Sequence, residues 1–206
     1  MACTRMAVVS IEKIGPDVVL GLWRIEGQED SRHLLDNNPS LEKLVLSCGS
    51  SQRRAEIIAV YSLLYAMTGD NTLFIDHTPE GRPFVCDSDI KISLSHTKGY
   101  ATVIMSHTKA VAVDIEYMSN RVDRIAGRFI RDDESAPDTL HRLLHWCAKE
   151  TLFKYCSEYK LGYYDMRLHP LEISENGVAR IDNLINMTSS DVYYRICDDY
   201  VLTYIF

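Results

Sequence analysis

Two long helical patterns, at residues 51–67 and 140–159, each stand inside a run of short β patterns. In the first, Ile57, Ile58, Tyr61, Leu64 and Tyr65 recur at spacings of three and four, and Gly69 follows as a stop. Ahead of it, residues 7–12 and 18–26 read as strands joined at Gly15-Pro16, and 31–46 holds short helical patterns broken at Asn37-Asn38-Pro39. Behind it, 73–76 reads as a strand, 78–83 as a loop and 92–95 as a half-buried strand. Residues 101–106 and 110–116 flank His107-Thr108-Lys109 and predict a hairpin. A helix is expected over 121–131. After the second long helix, strands at 171–174 and 178–181 flank Glu175-Asn176-Gly177, and strands at 192–197 and 200–206 flank Asp198-Asp199. Strand-helix-strands thus occurs twice. That pattern predicts an α+β fold, not the β/α alternation of a parallel doubly wound sheet. Length alone allows one large domain or two small lobes near a hundred residues each.

The 206 residues suffice for two such lobes, and the 46% apolar content excludes a disordered chain. With 22 Lys and Arg against 29 Asp and Glu, the net charge of −7 argues against a general nucleic-acid binder. The six cysteines form no C-x-x-C pair, so free, mostly buried thiols are expected in place of disulfides or a zinc site. Residues 1–10 contain no apolar run of signal-peptide length, and the stretch 57–67 is too short to cross a bilayer. These features describe a soluble, cytoplasmic protein without a membrane partner.

Asp114-Ile115-Glu116 ends an apolar β pattern, which places both carboxylates on one face of the strand. Two ionised carboxylates that close repel unless a cation separates them, and a hard ion such as Mg²⁺ prefers oxygen ligands. The plain alternative is a strand end entering solvent. Glu150 and Lys154 share a helical face, either as a surface ion pair or as a third carboxylate with an ammonium for a substrate phosphate. Trp146, one turn earlier, reads as core packing. Ser95-His96 closes a strand and is either a surface turn or a phosphate contact. Gly81-Arg82-Pro83 reads as a turn. Arg53-Arg54 is either a solvated face or a phosphate clamp. Arg121, Arg124, Arg128 and Arg131 make one basic stripe if their segment is α-helical. The stripe is either salt-bridged in solvent or a landing surface for an acidic partner.

Taken in order, these pieces resemble the 4′-phosphopantetheinyl transferases of the two-lobed, surfactin-synthetase-activator type. The matching string is Gly81-Arg82-Pro83, Ile92-Ser93-Leu94-Ser95-His96-Thr97, Val113-Asp114-Ile115-Glu116, Arg128-Phe129 with Glu134, and Trp146 through Lys154. It covers about half of the chain, from Arg53 to Lys154. Ala112 stands where the family often has glycine, Arg82 where lysine is frequent, and Thr151 where Ser or Ala is usual.

The resemblance implies a pseudo-twofold fold of two similar α+β lobes, 1–106 and 107–206, with coenzyme A between them and Mg²⁺ in the second lobe; two lobes in one chain make a monomer the natural choice. It implies transfer of the phosphopantetheine arm from coenzyme A to a serine of an apo acyl or peptidyl carrier protein, releasing 3′,5′-ADP. Asp114, Glu116 and Glu150 would hold Mg²⁺. Glu150 would activate the serine and Lys154 would neutralise the pyrophosphate. Ser95 and His96 would contact the coenzyme's phosphates, Gly81-Arg82-Pro83 would border adenine, and Arg53 would reach the 3′-phosphate. Arg121, Arg124 and Arg128 would meet the carrier. Two rival readings are a non-catalytic protein of the same fold that binds coenzyme A or a carrier, and a metal-dependent nuclease.

Overall fold

A computed structural model describes residues 7–26 and 31–206. Cys3 and most of the N-terminal segment read above lie outside the described residues. The chain divides into two compact units, Met1–Ala110 and Val111–Phe206.

In the first unit, strands β1 (Val8–Gly15) and β2 (Val18–Arg24) form the expected hairpin. Two short helices follow, α1 (Arg32–Leu35) and α2 (Pro39–Ser47). They break where expected, because Pro39 opens α2 and the Asn38 side chain caps it, accepting from Leu41 N at 3.0 Å. The long helix α3 (Ser51–Thr68) starts on a Ser50 cap and stops at Gly69, whose φ of +75° suits glycine. Beyond it come β3 (Ile75–His77), β4 (Pro83–Val85), β5 (Lys91–Thr97) and β6 (Tyr100–Ser106). The main sheet has the order β1-β2-β6-β5, all antiparallel, while β3 and β4 pair separately. Helix α3 packs on β2 and β6. A Cβ at Gly21 of β2 would stand 2.7 Å from Met67 Sδ and 2.8 Å from Leu63 Cδ1, so only glycine lets α3 settle this closely.

The second unit opens with β7 (Ala112–Tyr117), then a 3₁₀ helix (Asn120–Arg128) and the long helix α4 (Thr139–Tyr155). Short 3₁₀ turns at Ser157–Tyr159 and Tyr163–Asp165 lead to β8 (Met166–Leu168), β9 (Asn176–Asn183), β10 (Thr188–Ile196) and β11 (Tyr200–Ile205). The sheet order is β7-β11-β10-β9-β8, again antiparallel throughout. Helix α4 lies on β7 and β11, where Leu144, Ala148, Leu152, Ile181 and Val201 are completely buried.

Both units therefore use the same wiring. The strand before the long helix pairs with the last strand, which pairs with the strand before it: β2-β6-β5 and β7-β11-β10. One helix on one face of an antiparallel sheet makes the fold α+β.

Five expectations are corrected. Residues 101–106 and 110–116 do not form a hairpin, because β6 pairs with β2 and β5 while β7 pairs with β11. The intervening turn is held by Asp17, whose Oδ2 accepts from Ser106 Oγ (2.8 Å), His107 N (3.0 Å), Thr108 N (2.8 Å) and Thr108 Oγ1 (2.9 Å). The 121–131 segment is a 3₁₀ helix ending at Arg128. It fully buries only Val122, with Ile125 and Ala126 half-buried against the core. Helix α4 ends at Tyr155, earlier than the pattern to 159 suggests. Residues 171–174 are not a strand, and β9 starts at Asn176. Gly177 marks a close approach, not a turn: it faces Tyr194 across β9–β10, and a Cβ there would lie 2.4 Å from the buried tyrosine's hydroxyl.

The thiols differ too. Cys48, Cys86, Cys147, Cys156 and Cys197 are free as expected, but only Cys147 and Cys156 are buried. Among the described residues no helix is long and apolar enough to cross a membrane.

Candidate active site

On β7, Asp114 and Glu116 share the face turned toward α4. On α4, Trp146, Glu150 and Lys154 recur every fourth residue along one side. The two lines run in opposite directions. Trp146 Nε1 donates to Glu116 Oε1 at 2.9 Å, and eight residues on Lys154 Nζ donates to Asp114 Oδ1 at 2.7 Å and to Val113 O at 3.0 Å. Glu150 projects from the turn between them, and its Oε1 accepts from Tyr163 Oη at 2.5 Å. Motif pieces thirty to forty residues apart in sequence thus form one wall within the second unit.

The electrostatics follow from that crowding. Burial raises the pKa of Glu116 to about 7, with help from the Asp114 charge and, more weakly, that of Glu150; the Trp146 N–H and Lys154 pull the other way. Burial also raises Glu150, with Asp114 adding repulsion and with Tyr163 and Lys154 opposing. Tyr163 is raised in turn, first by burial and then by donating to Glu150. These carboxylates repel one another, and Lys154 supplies the local positive charge.

Among the described residues no three His, Cys, Asp or Glu are grouped as a ready metal site. The donor chemistry nonetheless fits a hard divalent cation. The donors are all carboxylate oxygens, they repel one another, and Glu116 and Glu150 each keep a second oxygen outside the bonds described.

Beneath this wall lies a polar seam that the sequence did not suggest. Thr203 Oγ1 of β11 donates to Cys147 O at 2.9 Å and meets Thr151 Oγ1 at 2.6 Å. The Lys149 and Glu134 side chains are fully buried and meet at 2.7 Å. Lys149 also donates to Phe129 O (2.6 Å) and Tyr163 O (3.3 Å), while Glu134 accepts from Arg131 N (2.8 Å) and Leu168 N (2.6 Å). This pair ties α4 to the segments on either side of it. Trp146 does pack in the core, edge-on to Phe129 (5.2 Å between centroids) and beside Tyr163 (5.1 Å), but it also orients Glu116. Tyr163 escaped sequence reading because nothing in the spacing connects an isolated Gly-Tyr-Tyr turn with Glu150.

In the first unit, Arg53 and His96 meet, with Arg53 Nη1 donating to His96 Nε2 at 2.7 Å. That bond requires His96 Nε2 to be unprotonated. Glu56 Oε2 stands 3.3 Å from Arg53 Nη1 and 3.5 Å from His96 Nδ1. This trio edges a cavity of about 230 Å³ walled by Ile57, Val60, Tyr61, Phe74 and Leu94. Ser95 points to the opposite face of β5 from His96 and does not join them. Gly81, with φ of +87°, and Arg82 sit exposed at the tip of the β3–β4 turn, next to Pro83 at the start of β4; none of the three lines that cavity.

The four-arginine stripe does not form. In a 3₁₀ helix only residues three apart share a face, so Arg121 and Arg124 align and Arg128 is offset. Arg131 lies past the helix and pairs with Asp133 at 2.8 Å. Arg121, Arg124 and Arg128 are nevertheless all exposed.

No protein-family model matches the chain, and no curated protein matches it.

Proposed function

We propose that this protein is a Mg²⁺-dependent 4′-phosphopantetheinyl transferase that loads apo carrier proteins from coenzyme A. The observation that carries this reading is the alignment of Asp114 and Glu116 on β7 with Trp146, Glu150 and Lys154 on α4. On the same reading the two units are related lobes of one duplicated fold, supported by their common strand order.

The carrier serine Oγ attacks the β-phosphorus of coenzyme A. A new O–P bond forms there, and the bond to the oxygen of 3′,5′-ADP breaks. Glu150 activates the serine, whose proton passes to this carboxylate directly or through water. The Lys154 ammonium stands by Asp114, placed to neutralise phosphate charge. Asp114, Glu116 and Glu150 would hold Mg²⁺, which supplies charge neutralisation at the pyrophosphate. Arg53, with the His96 ring held against it, offers the first unit's positive charge for the coenzyme's phosphates. Arg121, Arg124 and Arg128 offer exposed positive charge to an acidic carrier.

The test incubates the protein with coenzyme A, Mg²⁺ and a panel of apo carriers from fatty-acid, polyketide and peptide synthesis, read by intact mass. One carrier is expected to gain a single phosphopantetheine arm. Glu150→Gln and Asp114→Asn are expected to abolish most of that gain while remaining folded. No mass gain on any carrier refutes the transferase. Coenzyme A binding without transfer would favour a non-catalytic binder. DNA or RNA cleavage abolished by Asp114→Ala would favour a nuclease.

A further inference from the structure

We infer that Tyr163 is a positioning residue of the carboxylate site: its hydroxyl fixes Glu150 for cation binding, and it does so from a segment anchored by the buried Lys149–Glu134 pair. The inference rests on the cation assignment made above for Asp114, Glu116 and Glu150.

Three contacts define the role. Tyr163 Oη donates to Glu150 Oε1 at 2.5 Å and leaves Oε2 for another partner. The Tyr163 ring lies beside Trp146, with centroids 5.1 Å apart and planes 33° apart, while Trp146 holds Glu116 by its indole N–H. The Tyr163 carbonyl accepts from Lys149 Nζ, one residue before Glu150 on α4. Helix and turn are therefore fastened at the backbone by Lys149 and at the side chain by Glu150. Tyrosine reaches α4 from outside it, across a connection of its own.

A carboxylate that binds a cation through one oxygen is oriented by a donor on the other. Loss of such an outer partner typically lowers metal affinity about 10- to 100-fold. Phenylalanine at 163 keeps the ring against Trp146 and removes only the donor, so the fold is retained. Lys154 and Trp146 still serve Asp114 and Glu116 in that variant, which isolates the effect at Glu150.

The experiment measures Mn²⁺ and Mg²⁺ binding by calorimetry on the whole wild-type chain and on Tyr163→Phe, with near-ultraviolet circular dichroism as the check on packing. The variant is expected to bind about tenfold or more weakly, with unchanged aromatic signal. In the mass assay its rate should recover as Mg²⁺ is raised, which a general packing defect would not allow. Equal affinity in the two proteins overturns the role of Tyr163 while leaving the cation assignment standing. A wild type that binds neither ion overturns the cation assignment and this role with it. A phenylalanine variant with altered aromatic packing is replaced by 4-methylphenylalanine at position 163, which keeps the length of tyrosine without the donor; affinity about tenfold weaker supports the role, and wild-type affinity overturns it.

Discussion

The Lys149–Glu134 pair is the place where one atom group decides whether the second unit holds together. Replacing Lys149 with Met keeps most of the stem volume and removes the ammonium, so the cost comes from charge and hydrogen bonding, with little cavity contribution. Lys149 Nζ serves three acceptors, at 2.6, 2.7 and 3.3 Å. Without it, a fully buried Glu134 carboxylate keeps only the N–H groups of Arg131 and Leu168. Burial already draws the Lys149 pKa below its ordinary value, so desolvation offsets part of the pair's attraction. Removing one partner of such a pair costs about 3–5 kcal/mol. A domain's whole stability is about 5–15 kcal/mol. Urea unfolding in a Trp23→Phe background leaves Trp146 as the sole indole and so reports on the second unit. Lys149→Met should lower stability by about 3 kcal/mol or more. Adding Glu134→Gln should recover part of the loss, because the charge left behind is removed. A single-variant loss under about 1 kcal/mol, or strict additivity in the double variant, would refute the reasoning.

Glu116 sets a pH dependence. Its pKa is raised from 4.5 to about 7, so the folded chain holds a proton there that the unfolded chain has released. Stability of the metal-free protein should therefore fall as pH rises from about 4.5 to about 7, by about 3 kcal/mol if Glu116 acts alone. Calorimetric melting of Glu116→Gln should show a flatter profile across that window, and an unchanged slope would contradict the assignment. Charge reversal at Arg121 and Arg124 should raise KM for the carrier more than KM for coenzyme A, as measured by steady-state kinetics. Gly21→Ala forces a methyl against Leu63 and Met67 and should cost about 1–3 kcal/mol in urea unfolding.

The long helices and most strands were legible because their signals are local: periodicity, Asn38-Pro39 and Gly69. The 101–116 hairpin was misread because two adjacent β patterns resemble a hairpin whatever sheets they enter, and only tertiary pairing sends β7 to β11. Gly177 was misread for a related reason, since a glycine demanded by a neighbouring ring looks the same in sequence as one demanded by a turn. At the site, Asp114, Glu116, Glu150 and Lys154 were found by their spacing within one strand and one helix. Tyr163 and the burial of Lys149 and Glu134 were not, because those partners meet only once the helix lies against the turns beside it.

Cys147 sits directly after Trp146, wholly buried, and its thiol is pushed well above the ordinary range, first by burial. Only a thiolate reacts quickly with alkylating reagents, so this sulfur stays silent until α4 lifts from the sheet. Exposed Cys197 should be consumed at once under the same conditions. The delay between the two is a clock, native to the chain, for how often the carboxylate wall comes apart. Any ligand that grips the wall should slow that clock in proportion to its occupancy, without a substrate or a turnover.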